Sequence, residues 1–298
     1  MPDLRQDLRQ LLAHGSWHDD STASQAPEIE LPRGDVTDGV VRVGGTVRRP
    51  RQATSAAVAA YLLHLEARGF DEAPRFLGTD DRGRDVLTYV DGDVAGEVPE
   101  SWARNDALLP PLGALVAALH GASRGFTAPD GVVFMRDLMP DPPDLVRLVD
   151  RPTLVSHNDI TPQNVVFRNG RPVGLIDFDL AGPTTELRDV ANTCMHWAPL
   201  THPADVAPEL SHLDPFRRCR LLVDGYGLDV DGRRNMADVL IRGARVGWHR
   251  MKANAERLGG GWARMWDEGV GDKIRRREAW LEENRDRLTA ALLDGASG

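Results

Sequence analysis

TLVSHNDITPQNVVFRNGRPVGLIDFD, residues 153–179, is the stretch of this 298-residue chain that joins a strong fold signal to a strong chemical one. Two short apolar runs, Asn164-Val165-Val166-Phe167 and Val173-Gly174-Leu175-Ile176, flank Arg168-Asn169-Gly170-Arg171. Asn-Gly is a preferred two-residue turn of a tight hairpin, since both positions must tolerate positive φ. Pairing Arg168 with Arg171 sets Val166 opposite Val173 and Asn164 opposite Leu175, so Asp177 falls diagonally from Asn164 on the same face. Diagonal neighbours stand about 7–8 Å apart at the backbone, close enough for an amide oxygen and a carboxylate to converge on one cation. Asn164 and Asp177 therefore read as a magnesium pair. Upstream, His157-Asn158-Asp159 follows the run Thr153-Leu154-Val155-Ser156, and Pro162 keeps the intervening segment a loop. Asp159 on that loop can orient a substrate hydroxyl and accept its proton while the metal offsets charge on a transferring phosphoryl group.

His157, Asp159 and Asn164 match H-x-D-x4-N, and Ile176-Asp177-Phe178-Asp179 matches a metal-binding strand end. In both respects the chain resembles the aminoglycoside phosphotransferase and choline kinase family. The resemblance covers about residues 30–293 and is strongest over 153–191. It implies an α+β, protein-kinase-like, two-lobed fold: a five-stranded antiparallel sheet with one helix, then a mainly helical lobe that carries the catalytic hairpin. The division expected is 1–28 as an N-terminal extension, 29–91 as a nucleotide-binding lobe and 92–298 as the lobe with the catalytic loop and acceptor site. The activity implied is Mg2+-dependent transfer of the terminal phosphoryl group of ATP to a hydroxyl of a small molecule. Asp159 is then the base, and His157 braces the catalytic loop by hydrogen bonding.

Composition sets looser bounds. A formal charge of −9 argues against wholesale nucleic-acid binding and mildly favours a cationic, amine-bearing partner such as an aminoglycoside, with sugar or choline-like acceptors fitting as well. No run approaches the roughly 20 apolar residues that a membrane span needs. The opening MPDLRQDLRQLL lacks the pattern of a secretory signal, so the expected compartment is the cytoplasm. Cys194 and Cys219 are far apart and without clustered His partners, which suggests neither a disulfide framework nor a zinc site. The partners implied are a nucleotide and a small-molecule acceptor, with no nucleic acid and no membrane; nothing in the sequence sets an oligomeric state.

Leu4, Leu8, Leu11 and Leu12 mark a short helix over residues 3–13, followed by a polar loop. Strand signals begin at Ile29. They continue through Val40–Val43, a Gly44-Gly45 turn and Thr46–Pro50, and resume at Pro74–Leu77 and Asp85–Val90. By resemblance the loop 33–39, with Thr37, covers the nucleotide phosphates, and backbone groups of Tyr89, Val90 and Asp91 hold adenine. The only two lysines, Lys252 and Lys273, lie in the second half, so the basic phosphate ligand falls by resemblance to Arg48. An arginine can fork onto two phosphate oxygens. Arg49 is the competing candidate, because strand alternation lets only one of the two reach the cleft.

Residues 54–68 read as a helix with Val58, Leu62 and Leu65 on one face, but its only acid, Glu66, sits too late in it to hold Arg48 securely. Pro110-Pro111 opens another helix that ends at His120-Gly121, and a short helix is expected near Leu145–Leu148. Asp189 reads as a helix-capping residue. Asp179 points the same way as Asp177 and is a candidate for the metal site or an acceptor pocket; Trp197 or Trp248 is a candidate for the acceptor wall. The missing helix glutamate and the acids Asp35 and Asp38 in the phosphate loop support a rival reading, a kinase-like binding or immunity protein without turnover.

Overall fold

The structure, a computed structural model, describes residues 26–31, 39–96, 98–138 and 151–294. Thr37, nearly all of the 33–39 loop and the helices expected at 3–13 and 145–148 lie outside the described residues.

Strands β1 (Glu28–Glu30), β2 (Val41–Val43), β3 (Thr46–Arg49), β4 (Phe76–Thr79) and β5 (Asp85–Thr88) form an antiparallel sheet in the order β1-β2-β3-β5-β4. The β2–β3 turn follows from Gly44, whose φ of 58° is open to glycine at little cost. Between β3 and β4 runs helix α1 (Ser55–Ala67), which stops where Gly69 adopts φ 74° and Phe70 N–H reaches back to the Leu65 carbonyl. The spacing of Val58, Leu62 and Leu65 predicts a single buried stripe. In the structure Ala57, Ala59, Ala60 and Tyr61 are buried too, because α1 is covered by the sheet on one side and the helical half on the other. Tyr61 crosses that boundary, its hydroxyl 2.5 Å from Ser123 Oγ and donating to the Val155 carbonyl at 3.1 Å.

The chain leaves the sheet through Asp91–Asp93. There Asp93 exchanges backbone hydrogen bonds with Phe167 at 2.9 and 2.8 Å, and a Cβ on Gly92 would strike the Phe167 carbonyl. Glycine is required by this close approach and by its φ of 150°. The helical half contains α2 (Leu109–Ser123), a short α3 (Met135–Leu138), α4 (Glu186–Trp197), α5 (Pro215–Tyr226), the 29-residue α6 (Val230–Leu258), α7 (Gly260–Asp267), α8 (Val270–Glu283) and α9 (Arg285–Leu293). The last helical stretch is two helices, α8 and α9, broken at Asn284. Helices α2 and α5 cross at Gly113 and Gly225: a Cβ on Gly113 would enter the backbone of Leu222 and Tyr226, and one on Gly225 the backbone of Pro110. Strand β6 (Leu154–Ser156) pairs with β9 (Gly182–Thr184), and β7 (Val165–Arg168) with β8 (Arg171–Leu175). Cys194 and Cys219 are free and buried. Among the described residues no helix is long and apolar enough to cross a membrane.

Candidate active site

The site is built on the β7–β8 hairpin and the loop before it. Arg168 pairs with Arg171 as the turn dictates, yet Val166 faces Gly174 and Val165 faces Leu175. This departs by one residue from the register expected. Pro172 has no N–H to give the ladder, and β8 bulges at Val173, the residue left without a partner. Asn164 consequently lies beside Ile176, whose N–H donates to the Asn164 carbonyl at 2.9 Å. Asp177, next in the chain, turns into the left-handed region at φ 60°, ψ 69°, and its side chain is exposed.

Both hydrogens of the Asn164 amide are committed to Asp159: Nδ2 donates to the Asp159 carbonyl and to Oδ2, each at 2.9 Å. The Oδ1 of Asn164 is thereby turned away from Asp159 as an acceptor. His157 is fully buried. Its Nε2 lies 2.8 Å from the Ile176 carbonyl, and Asp159 N–H donates to its Nδ1 at 3.3 Å, which fixes the neutral tautomer with hydrogen on Nε2. Burial pushes the His157 pKa down, against the opposing effect of the Ile176 carbonyl. One imidazole thus ties the loop carrying Asp159 to the strand end carrying Asp177.

A second support was missed by the sequence reading. Asp189 does not cap α4; Thr185 does, accepting from Arg188 N–H at 3.2 Å. Asp189 instead accepts from Ser156 Oγ at 2.7 Å, from His120 Nε2 at 3.0 Å and from the backbone N–H of Asn158 at 3.1 Å. Burial alone would raise this carboxyl, but the hydrogen bonds from His120 and Ser156 outweigh it and leave the pKa below the usual carboxylate value. His120 passes the chain on to Tyr226 Oη at 2.9 Å. The signal available in sequence was a polar cluster on apolar helices, His120 at the end of α2 and Asp189 in the first turn of α4, whose meeting depends on tertiary packing.

The basic residue at the cleft is corrected. Arg48 is buried on the far side of the sheet, donating to Thr46 Oγ1 and standing 3.8 Å from Asp80. Arg49 points to the α1 side, where it ion-pairs with Asp179 beside Ser55 and Asp85. Alternation along β3 is the physical reason, as only one of two consecutive side chains can face the cleft. Glu66 takes no part: it sits at the surface, 3.8 Å from Arg75. Asp85, pushed up by burial, is the acid on β5 next to Arg49 in the sheet. Asp179, buried and held by Arg49, is engaged between the two halves and not in an acceptor pocket. Trp197 is also core, its indole N–H donating to the Ile160 carbonyl at 2.9 Å. Of the groups expected to meet adenine, Tyr89 N–H already donates to Gly45 O at 2.9 Å and the Asp91 carbonyl accepts from Arg168 at 2.6 Å; Val90 lies between them.

A cavity of about 390 Å³ opens beside Asp159 between α3, α4, α6, α7 and α8, with Asp159, Asn192, Met195, Met251, Trp262 and Arg277 among its lining. Trp262, not Trp197 or Trp248, is the tryptophan on this wall.

A five-stranded sheet with one helix, joined by a short linker to a helical half that carries a His-x-Asp loop and an Asn/Asp hairpin, defines a kinase-like two-lobed fold. The sequence model of the phosphotransferase enzyme family matches residues 132–221. A trifolitoxin immunity protein of Rhizobium leguminosarum bv. trifolii is 36% identical over 219 residues, 72% of this chain and 79% of that one. Among solved structures, a choline/ethanolamine kinase family protein from Mesorhizobium loti superposes with a TM-score of 0.57 at 18% identity, covering 98% of this chain and all of that one. An amicoumacin kinase, solved in complex with AMP-PNP, Ca2+ and Ami, gives 0.53 at 13% identity over 93% and 92%. This chain belongs to the phosphotransferase enzyme family.

Proposed function

We propose that the protein transfers the γ-phosphoryl group of ATP to a hydroxyl of a small molecule, with Mg2+. The observation that supports this is the double hold of Asn164 on Asp159, which fixes the Asp159 carboxylate and leaves the Asn164 amide oxygen as an acceptor, on a residue paired with Ile176, the neighbour of Asp177. An amide oxygen and one carboxylate suit a Mg2+ that takes its remaining ligands from phosphates and water. No group of three or more His, Cys, Asp or Glu that could cage a metal occurs among the described residues. Mg2+ held by Asn164 and Asp177 supplies neutralisation of charge on the transferring group.

Asp159 accepts the proton of the acceptor hydroxyl as its oxygen bonds to the γ-phosphorus, and the bond from that phosphorus to the bridging oxygen of ADP breaks. His157, buried neutral, holds Asp159 in place and exchanges no proton. Arg49 is the phosphate clamp in this reading, leaving Asp179 for the nucleotide. Residues 29–91 then serve the nucleotide, with Val90 at the adenine, Thr37 at the phosphates and the remainder of the chain at the acceptor, in the cytoplasm where ATP is supplied. The AMP-PNP complex of the amicoumacin kinase supports the nucleotide part.

The relative named as an immunity protein favours a second reading, in which the same cleft protects by binding without turnover. Asp159→Asn separates the two. Transfer should fall by about 10²–10⁴ while stabilisation by Mg-ATP persists; full transfer by this variant refutes the assignment of Asp159, and a wild type that binds acceptor but releases no ADP selects the second reading.

A further inference from the structure

The wall of the cavity beside Asp159 does not follow the acidic balance of the whole chain. Among the described residues it carries the arginines Arg136, Arg188, Arg250 and Arg277, from four different helices or their flanks, against a single carboxylate, Asp159 itself. His196, exposed at the surface of α4, opens onto the same space.

Arg277 is the most telling of the four. It lies on α8, facing inward, with Nη1 2.9 Å from the Met195 sulfur, a weak acceptor, and with no hydrogen-bond partner at Nε. It forms no ion pair among the described residues. The acid with the strongest electrostatic influence on it, Asp205, is taken by Arg276 through two hydrogen bonds of 2.8 and 2.6 Å. A guanidinium stays charged in a protein, and Arg277, half-buried with its Nε out of solvent and no carboxylate beside it, is open to an anion. Three asparagines, Asn158, Asn192 and Asn254, add neutral polar groups; Val239, Leu240, Met251 and Trp262 are apolar, and Gly243 and Gly247 leave open space where side chains would stand.

We propose that the acceptor is a hydroxyl compound that also bears an anionic group, a carboxylate or a phosphate, bound with its hydroxyl at Asp159 and its anionic end at Arg277. This rests on the phosphotransferase reading above and replaces the amine-bearing acceptor suggested by net charge. The charge of −9 is spread over the entire chain, whereas a ligand in a closed wall meets the field of the groups lining it. An aminoglycoside-like polycation would enter beside the Arg277 guanidinium, which has no carboxylate partner among the described residues.

The test uses the full chain with Mg2+ and AMP-PNP, titrated at up to millimolar concentration with glycerol 3-phosphate and 3-hydroxybutyrate as the two anions, and with glycerol and ethanolamine as neutral and cationic counterparts. At least one anion should bind about tenfold more tightly than glycerol and ethanolamine, and the anion that does so tells phosphate from carboxylate. Arg277→Gln should abolish that preference and Arg277→Lys should retain most of it, both keeping the thermal shift given by Mg2+ and AMP-PNP. Tighter binding of ethanolamine, failure of both anions to bind, or a preference that survives Arg277→Gln overturns the proposal; should Arg277→Gln fail to fold, the wild-type ranking and Arg277→Lys decide. Equilibrium binding with AMP-PNP needs no turnover; the anion that binds is then offered with Mg-ATP, and binding without release of ADP selects the non-catalytic reading and leaves the pocket's preference standing.

Discussion

Replacing Asp189 puts the strongest strain on the reasoning about the catalytic loop. In the wild type its two oxygens receive three donors, the buried Ser156 Oγ–H and His120 Nε2–H and the half-buried N–H of Asn158. Asp189→Ala leaves those donors unpaired at about 1–3 kcal/mol each, while sparing the desolvation of a carboxylate; the net loss is taken at about 3–5 kcal/mol. Asp189→Asn keeps an acceptor for Asn158 and loses the charge-assisted pair, for about 1–3 kcal/mol. Ser156→Ala removes one donor and leaves none stranded, for about 1 kcal/mol. Urea unfolding at neutral pH gives the three values from midpoints at unchanged slope. Against a net stability of about 5–15 kcal/mol, the alanine variant should be visibly crippled. A loss below about 1 kcal/mol for Asp189→Ala, or a Ser156→Ala cost equal to it, would refute the view that this carboxylate organises the loop. The depressed pKa adds a sign: the stabilisation is present above the unfolded carboxyl value near pH 4 and lost as pH falls through the lower folded value.

Arg49→Gln should weaken nucleotide binding by about tenfold or more, the value of a charged hydrogen bond to phosphate, whereas Arg48→Gln should lower stability and leave nucleotide affinity in place; Mg-ATP titrations followed by thermal shift compare them, and the opposite ranking restores Arg48 to the cleft. His157 has a folded pKa below its unfolded value of about 6.5, so the unfolded chain takes up the proton first and stability falls as pH drops below that value. Urea midpoints at two pH values on either side should show a smaller drop in His157→Gln than in the wild type, and an unchanged drop removes His157 as the group responsible.

The parts of the fold and site that could be read in sequence were those with local causes. The Asn169-Gly170 turn set the start of the hairpin, Gly44-Gly45 set the β2–β3 turn, and His157, Asp159 and Asn164 share one short loop that local hydrogen bonds fold onto Asp159. Register beyond the turn was lost at Pro172, since a missing donor shifts a ladder without changing the apolar pattern. Arg48 against Arg49 turned on which face of β3 meets α1, a question of tertiary packing that adjacent identical residue types conceal. The role of Asp189 and the arginines of the cavity was illegible for a related reason: their partners come from helices up to about 140 residues away in sequence, from Arg136 to Arg277, and net charge averages over all of them.

The crossing of α2 and α5 at Gly113 and Gly225 has a reach beyond packing. Tyr226 follows Gly225 directly, and His120 lies two turns along α2 from Gly113, so the spacing of these two helices fixes the His120–Tyr226 contact that stands behind Asp189. A methyl group at either glycine is a wedge, and its thrust passes through a tyrosine, an imidazole and a carboxylate to the peptide next to Asp159. The geometry of the Asp159 loop is in that sense held by two hydrogen atoms deep among the helices, at positions remote from the loop itself, where a substitution would disturb the loop while leaving every residue in it intact.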